Sequence, residues 1–154
     1  MKELTDFRYR GARAVILLHE KELRQFVETW KTAKAIAVAL PETRDPNYVS
    51  LAALLRHVMH SARGYMVWIC EKLELPDLQI RPAPDVEVIE AEVDDYLEHL
   101  LQQWRKPLVE VRGRRFYQPA YTAPWNVDYC IDALLEHALV HPMRHRFQLQ
   151  ELME

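Results

Sequence analysis

Between its prolines the chain is apolar at every third or fourth residue, a pattern that long amphipathic helices satisfy and sheets do not. The clearest run is Ser50 to Leu75. There Leu51, Leu54, Leu55, Val58, Met59, Ala62, Tyr65, Met66, Ile69 and Leu73 form a stripe wide enough for a core helix. Ser50 suits its N-cap, and Pro76 stands just past its end. A first helix is read from about Ala14 to Val38, with a break allowed near His19 or Glu20, after a polar lead-in over Met1 to Gly11. A third runs from Val88 or Glu90 to Arg105 and turns Val93, Tyr96, Leu97, Leu100, Leu101 and Trp104 inward. Its acidic start, Glu87 to Asp95, suits the positive end of a helix dipole. The last helix is capped by Asn126 or Asp128 and continues to the end of the sequence. Pro142 inside it removes one backbone hydrogen bond and predicts a kink beside His141. Gly64, inside the second run, costs about 1 kcal/mol relative to Ala, a cost that close packing of a neighbour would explain.

Composition agrees with an all-α chain. Three Gly stand against nine Pro, and 154 residues at 49% hydrophobic suffice for one domain with a core that needs no staples. The connectors over Pro76 to Asp85 and Pro107 to Asn126 are long, which predicts crossovers and some parallel neighbours instead of a simple up-and-down series. Phe116, Tyr117, Tyr121 and Trp125 crowd the second of these. They are read as the cap of an open bundle end, with a pocket roof as the alternative. Val109 to Tyr117 is read as a small hairpin about Arg112-Gly113.

Several function classes are disfavoured. A formal charge of −3 lacks the basic face a nucleic-acid binder needs, and Arg112, Arg114 and Arg115 read as a solvated loop rim. No stretch approaches the roughly 18–20 apolar residues that cross a bilayer. Lys2, Glu3 and Asp6 precede any apolar run, so no signal peptide and a cytoplasmic location are expected. Cys70 and Cys130 have neither metal spacing nor scaffold density and read as buried free thiols.

What remains is histidine. His137, His141 and His145 recur at a four-residue interval and so share one face of the last helix; His57 and His60 lie on the second. Two histidines one turn apart, joined by one from a facing helix, give a three-nitrogen metal site with an open fourth position. His57 sits at the apolar stripe, and His60 is turned to its other side. His99 reads as a surface or packing residue. No Glu follows His141 as in HExxH, so the pattern gives no metalloprotease.

The segment His141-Pro-Met-Arg-His145-Arg146-Phe147-Gln148 resembles the HxxxHRGQ signature that closes members of the DinB/YfiT-like superfamily. Leu54-Leu55-Arg56-His57-Val58 resembles that superfamily's ligand context on its second helix. The resemblance covers essentially the whole chain, since the order, number and length of the helices are also similar. It implies a four-helix bundle with long crossover connections, with His57, His141 and His145 as metal ligands and His60 and His137 outside the set. It implies a divalent ion, Zn or Ni first and Fe or Mn next. It also implies a homodimer acting on a small-molecule thiol and an electrophile. Bacillithiol S-transferases and mycothiol-dependent maleylpyruvate isomerases belong to that superfamily, and related domains occur in enzymes of ergothioneine assembly. Phe147 departs from the signature's usual Gly and is expected to alter packing behind the site; Pro142 is an uncommon neighbour for a ligand. The expected function is a metal-dependent thiol S-transferase or hydrolase. Its rival is a non-catalytic helical dimer whose ion is structural or absent, and a fourth protein ligand closing the site would mark that rival.

Overall fold

The computed structural model describes residues 6–154, and the chain is mostly helical. Helix α1 spans Arg10–Ala35, α2 Leu51–Lys72 and α3 Ile89–Trp104. A single turn, α4, covers Arg114–Tyr117; two short antiparallel strands follow, β1 (Tyr121–Thr122) and β2 (Asp128–Tyr129); α5 runs Ile131–Met153. The three earlier long helices fall close to where the apolar spacing puts them. Of the polar lead-in, residues 1–5 lie outside the described residues, while Arg10 and Gly11 already belong to α1. No break occurs at His19 or Glu20, because α1 buries a continuous stripe past both, from Ile16 through His19 and Leu23 to Trp30.

Caps fix the helix ends. Ser50 Oγ accepts from the Ala53 N–H at 3.0 Å, satisfying a donor that the first turn of α2 leaves free. At the other end of α2, Leu75 N–H reaches Cys70 C=O and Glu74 N–H reaches Glu71 C=O. The same pair of bonds closes α1, from Val38 to Ala33 and from Ala37 to Lys34. Both are Schellman closures, and both place a residue with a side chain, Glu74 or Ala37, at φ near +55° where glycine is usual. Asn126 and Asp128 do not cap α5. Cys130 precedes it without a side-chain bond, and Asn126 sits instead at φ 63° in the turn between β1 and β2.

Polar contacts give the directions in which the helices pack. Between α1 and α3, Glu20 meets Arg105, Arg24 meets Glu98, Lys31 meets Asp94 and Lys34 meets Glu90, a descending series that makes the pair antiparallel. Glu20–Arg105 is part-buried, and the other three, being exposed, contribute under about 1 kcal/mol each, so they record register more than they supply stability. Between α1 and α5 the series ascends: Tyr9, just before α1, bonds Asp132, and Glu22 meets Arg146. That pair is parallel. Helix α2 crosses to both neighbours through indole N–H groups, Trp30 donating to Leu51 C=O at 2.7 Å and Trp104 to Ala62 C=O at 3.1 Å. Phe26, Leu55, Met59, Met66, Trp104 and Phe116 are fully buried within one apolar cluster. No described helix is long and apolar enough to cross a membrane.

Three local expectations fail. The stretch 114–117 is a helical turn, and the hairpin forms later, at 121–129, where Asn126 tolerates a positive φ better than most residues. Gly64 is exposed, and a Cβ built there meets nothing within 4 Å, so no close neighbour explains it. Phe147 is 59% exposed and does not pack behind the histidines. Pro142 is buried within α5, and the helix continues through it from Ile131 to Met153.

Candidate metal centre

Antiparallel packing of α2 on α5 sets His57 opposite His141 and His145, and Tyr65 opposite His137. Each of the first three histidines offers one ring nitrogen, and these three atoms lie within 4.8 Å of one another. His57 Nε2 and His141 Nε2 are 3.1 Å apart. Two nitrogens bound at about 2.0–2.1 Å to one tetrahedral ion would be separated by a similar distance, roughly 3.4 Å. Among the described residues no other His, Cys, Asp or Glu joins the cluster.

The surroundings fit a cation. Burial, then the positive forms of neighbouring histidines, push His57 down to about 4 and His141 down to about 3. Burial also lowers His145, against the hydrogen bond to Gln148 that raises it. At neutral pH all three rings are therefore unprotonated, the form that binds a metal. His145 Nδ1 lies 3.1 Å from Gln148 Oε1. If Nδ1 carries the proton it donates to Gln148, and Nε2 is left as the free ligand atom, the usual way an outer partner fixes a ligand's tautomer. His141 Nδ1 is buried with no hydrogen-bond partner among the described residues. A charged or donor group placed between the rings would match the chemistry of this donor set.

The flanking residues take their roles from position. Arg146 turns away from the cluster and pairs with the buried carboxylate of Glu22 on α1. Tyr48, on the connector before α2, brings its hydroxyl to 3.4 Å from His57 Nε2 and its ring to 5.6 Å from that of His145. Sequence spacing does not point to Tyr48, because an irregular connector has no period. Gln148 and Arg146 are visible in the sequence as neighbours of a ligand, yet only the helix turn tells which faces the ring. His137 is no member of the cluster: it packs among Tyr65, Trp125 and Tyr129. His60 is exposed, and His99 accepts from the Arg81 N–H, tying a connector to α3. Cys70 is buried and its thiol pushed up to about 11, whereas Cys130 is only half-buried; both are free. Of the aromatic stretch, Phe116 enters the core, Tyr117 bonds Tyr9, Tyr121 packs on Trp68, and Trp125 stands over the histidines' side of α5.

Two cavities reach the cluster from different sides. One, of about 530 Å³, touches His145 and Tyr48 and is walled by Leu40, Leu54, Leu149 and Leu152. The other, of about 460 Å³, touches His57 and His141.

The fold and this cluster define a helical protein whose three histidines can hold a metal ion. No family model, curated protein or solved structure matches the chain.

Proposed function

We propose that this protein is a DinB/YfiT-like four-helix bundle with long crossover connections, and that it works as a divalent-metal-dependent thiol S-transferase or hydrolase on small molecules. The observation that carries the reading is the convergence of His57, His141 and His145, with one cavity reaching His145 and a second reaching His57 and His141. A transfer between two small molecules needs such an arrangement, one space for each reactant and a shared point between them. The parallel α1–α5 pair and the long connector from α2 to α3 support the crossover bundle.

When bound, a divalent ion lowers the pKa of a water or thiol beside it. The protein's own part is to present three neutral imidazoles, to hold the His145 ring through Gln148, and to set the Tyr48 hydroxyl beside the position the ligands share. Three nitrogens without a carboxylate suit Zn or Ni, with Fe or Mn as less favoured occupants. The lack of a fourth ligand among the described residues favours an open site over a closed structural one. Leu18 on α1 and Val140, Met143 and Phe147 on α5 are exposed apolar side chains that a second copy of the chain would cover.

Metal analysis of untagged protein tests the site: one ion per chain is expected. A screen with low-molecular-weight thiols and small electrophiles tests the reaction. Stoichiometric metal without thiol consumption or hydrolysis across that screen would leave the site and remove the activity.

A further inference from the structure

Gly64 poses a question that helix physics does not answer. It lies in the interior of α2, costs roughly 1 kcal/mol there relative to Ala, has no positive φ to justify it, and meets no neighbour that a Cβ would strike. What it does is leave the floor of the 460 Å³ cavity open. Tyr65 and Trp68 flank that floor on the same helix, and Trp125 and Pro124 rise from the hairpin turn to form the opposite wall. Trp125 is held in place: its Nε1–H donates to the Tyr129 hydroxyl at 3.0 Å, and His137 stacks on one face of the indole at 5.1 Å. The inner end is His57 and His141. Among the described residues, Glu71 is the one carboxylate in the lining, and no Lys or Arg lines it.

We propose that the cavity between Gly64 and Trp125 is a binding site for a flat, unsaturated ring of a neutral or cationic small molecule, delivered edge-on to the histidine cluster. Aromatic walls favour a planar partner through offset or edge-to-face contact. The missing side chain at position 64 gives that plane a place to lie, and a lining without Lys or Arg offers an acidic ring no direct ion-pair partner. The volume falls in the range of small-ligand pockets, which suits a mono- or bicyclic system. The chemical consequence rests on the metal-centre reading above, since that is what would make the inner end reactive; the binding itself does not.

The test is a titration of metal-free protein with indole, followed by the side-chain N–H signals of the four tryptophans in NMR spectra. Trp30 and Trp104 donate inside the core and serve as internal controls. Saturable shifts are expected at Trp68 and Trp125 and none at Trp30 or Trp104. Gly64→Leu, which fills the floor, should weaken binding about tenfold or more, with helical circular dichroism unchanged. Should that variant fold poorly, Trp125→Ala removes an exposed wall and should show the same loss. Silent Trp68 and Trp125 signals, wild-type affinity in both variants, or equal affinity for cyclohexanol would each overturn the proposal. Retained indole binding in a protein that takes up no metal would support the ring site while removing the metal-centre reading alone.

Discussion

Two sets of histidines share a protonation state in this molecule and little else. His19 is fully buried on α1, stacked on Trp104 at 3.8 Å, with neither ring nitrogen bonded among the described residues. His57 and His141 are half-buried and share a site with His145. Burial holds His19 down to about 3, much as it holds His141. A depressed pKa therefore marks desolvation in both places and distinguishes nothing. Convergence does. The nitrogens of His19 are buried without a partner among the described residues, whereas one nitrogen from each of His57, His141 and His145 lies within 4.8 Å of the others.

The largest test of that contrast is His141→Ala, which should take metal content from about one ion per chain to under about 0.2, while His19→Ala and His99→Ala leave it stoichiometric. Mass-spectrometric metal analysis reads both, and equal loss from His99→Ala would sink the ligand assignment. Next in size is Glu22→Gln. It removes the charge opposite the Arg146 guanidinium, which is 25% exposed, but leaves an amide oxygen to accept, and should lower unfolding free energy by about 1.5 kcal/mol in urea titration. Acid acts on both regions alike, since burial also pushes down His57 and His141, and a substitution isolates the part that belongs to His19. The folded pKa of His19 lies below the ordinary 6.5, so in acid the unfolded chain takes a proton that the folded one refuses. Its contribution is intact above pH 6.5 and is lost as pH falls towards 3, at up to about 1.4 kcal/mol per pH unit. In metal-free protein, His19→Leu should flatten the fall of the melting temperature between about pH 6 and 4, and an unchanged slope would show that His19 is protonated when folded. Gln148→Ala should weaken metal binding about tenfold by freeing the His145 ring, with no loss of helicity; competition with a chelator measures it. Smallest is Gly64→Ala, expected to raise stability by about 0.5–1 kcal/mol because its Cβ enters open space.

The helices and two of the candidate ligands were legible in the sequence for a shared reason: both depend on a local period. Ser50 announces α2, Pro76 stands past its end, and a four-residue interval keeps His141 and His145 on one face whatever they pack against. The third candidate needed more. Spacing sets His57 at the apolar stripe and His60 to its other side, the likeness around Leu54 to Val58 selects His57, and the packing of α2 on α5 turns it inward and leaves His60 in solvent. Contacts from irregular segments were legible only as a general role for the aromatic stretch, without partners. Tyr48 reaches His57 from a connector, and Trp125 reaches His137 from a turn whose position the Gly113 signal misplaced. Glu22 illustrates the remaining gap. Acidic residues seldom sit inside a core, and nothing near it in sequence reveals that Arg146 would cover it from the far end of the chain.

The parallel pairing of α1 with α5 bears on how the chain comes into being. The Glu22–Arg146 contact spans 124 residues, and the His57–His141 contact spans 84. On the ribosome, α1 emerges with the flank meant for α5 uncovered and stays so until nearly all of the described sequence has been made. Neither the helix nor the histidine cluster can be completed early, and contacts this distant fold slowly. The candidate ion site, too, comes together only after α5 has been made, since two of its three histidines lie on that helix.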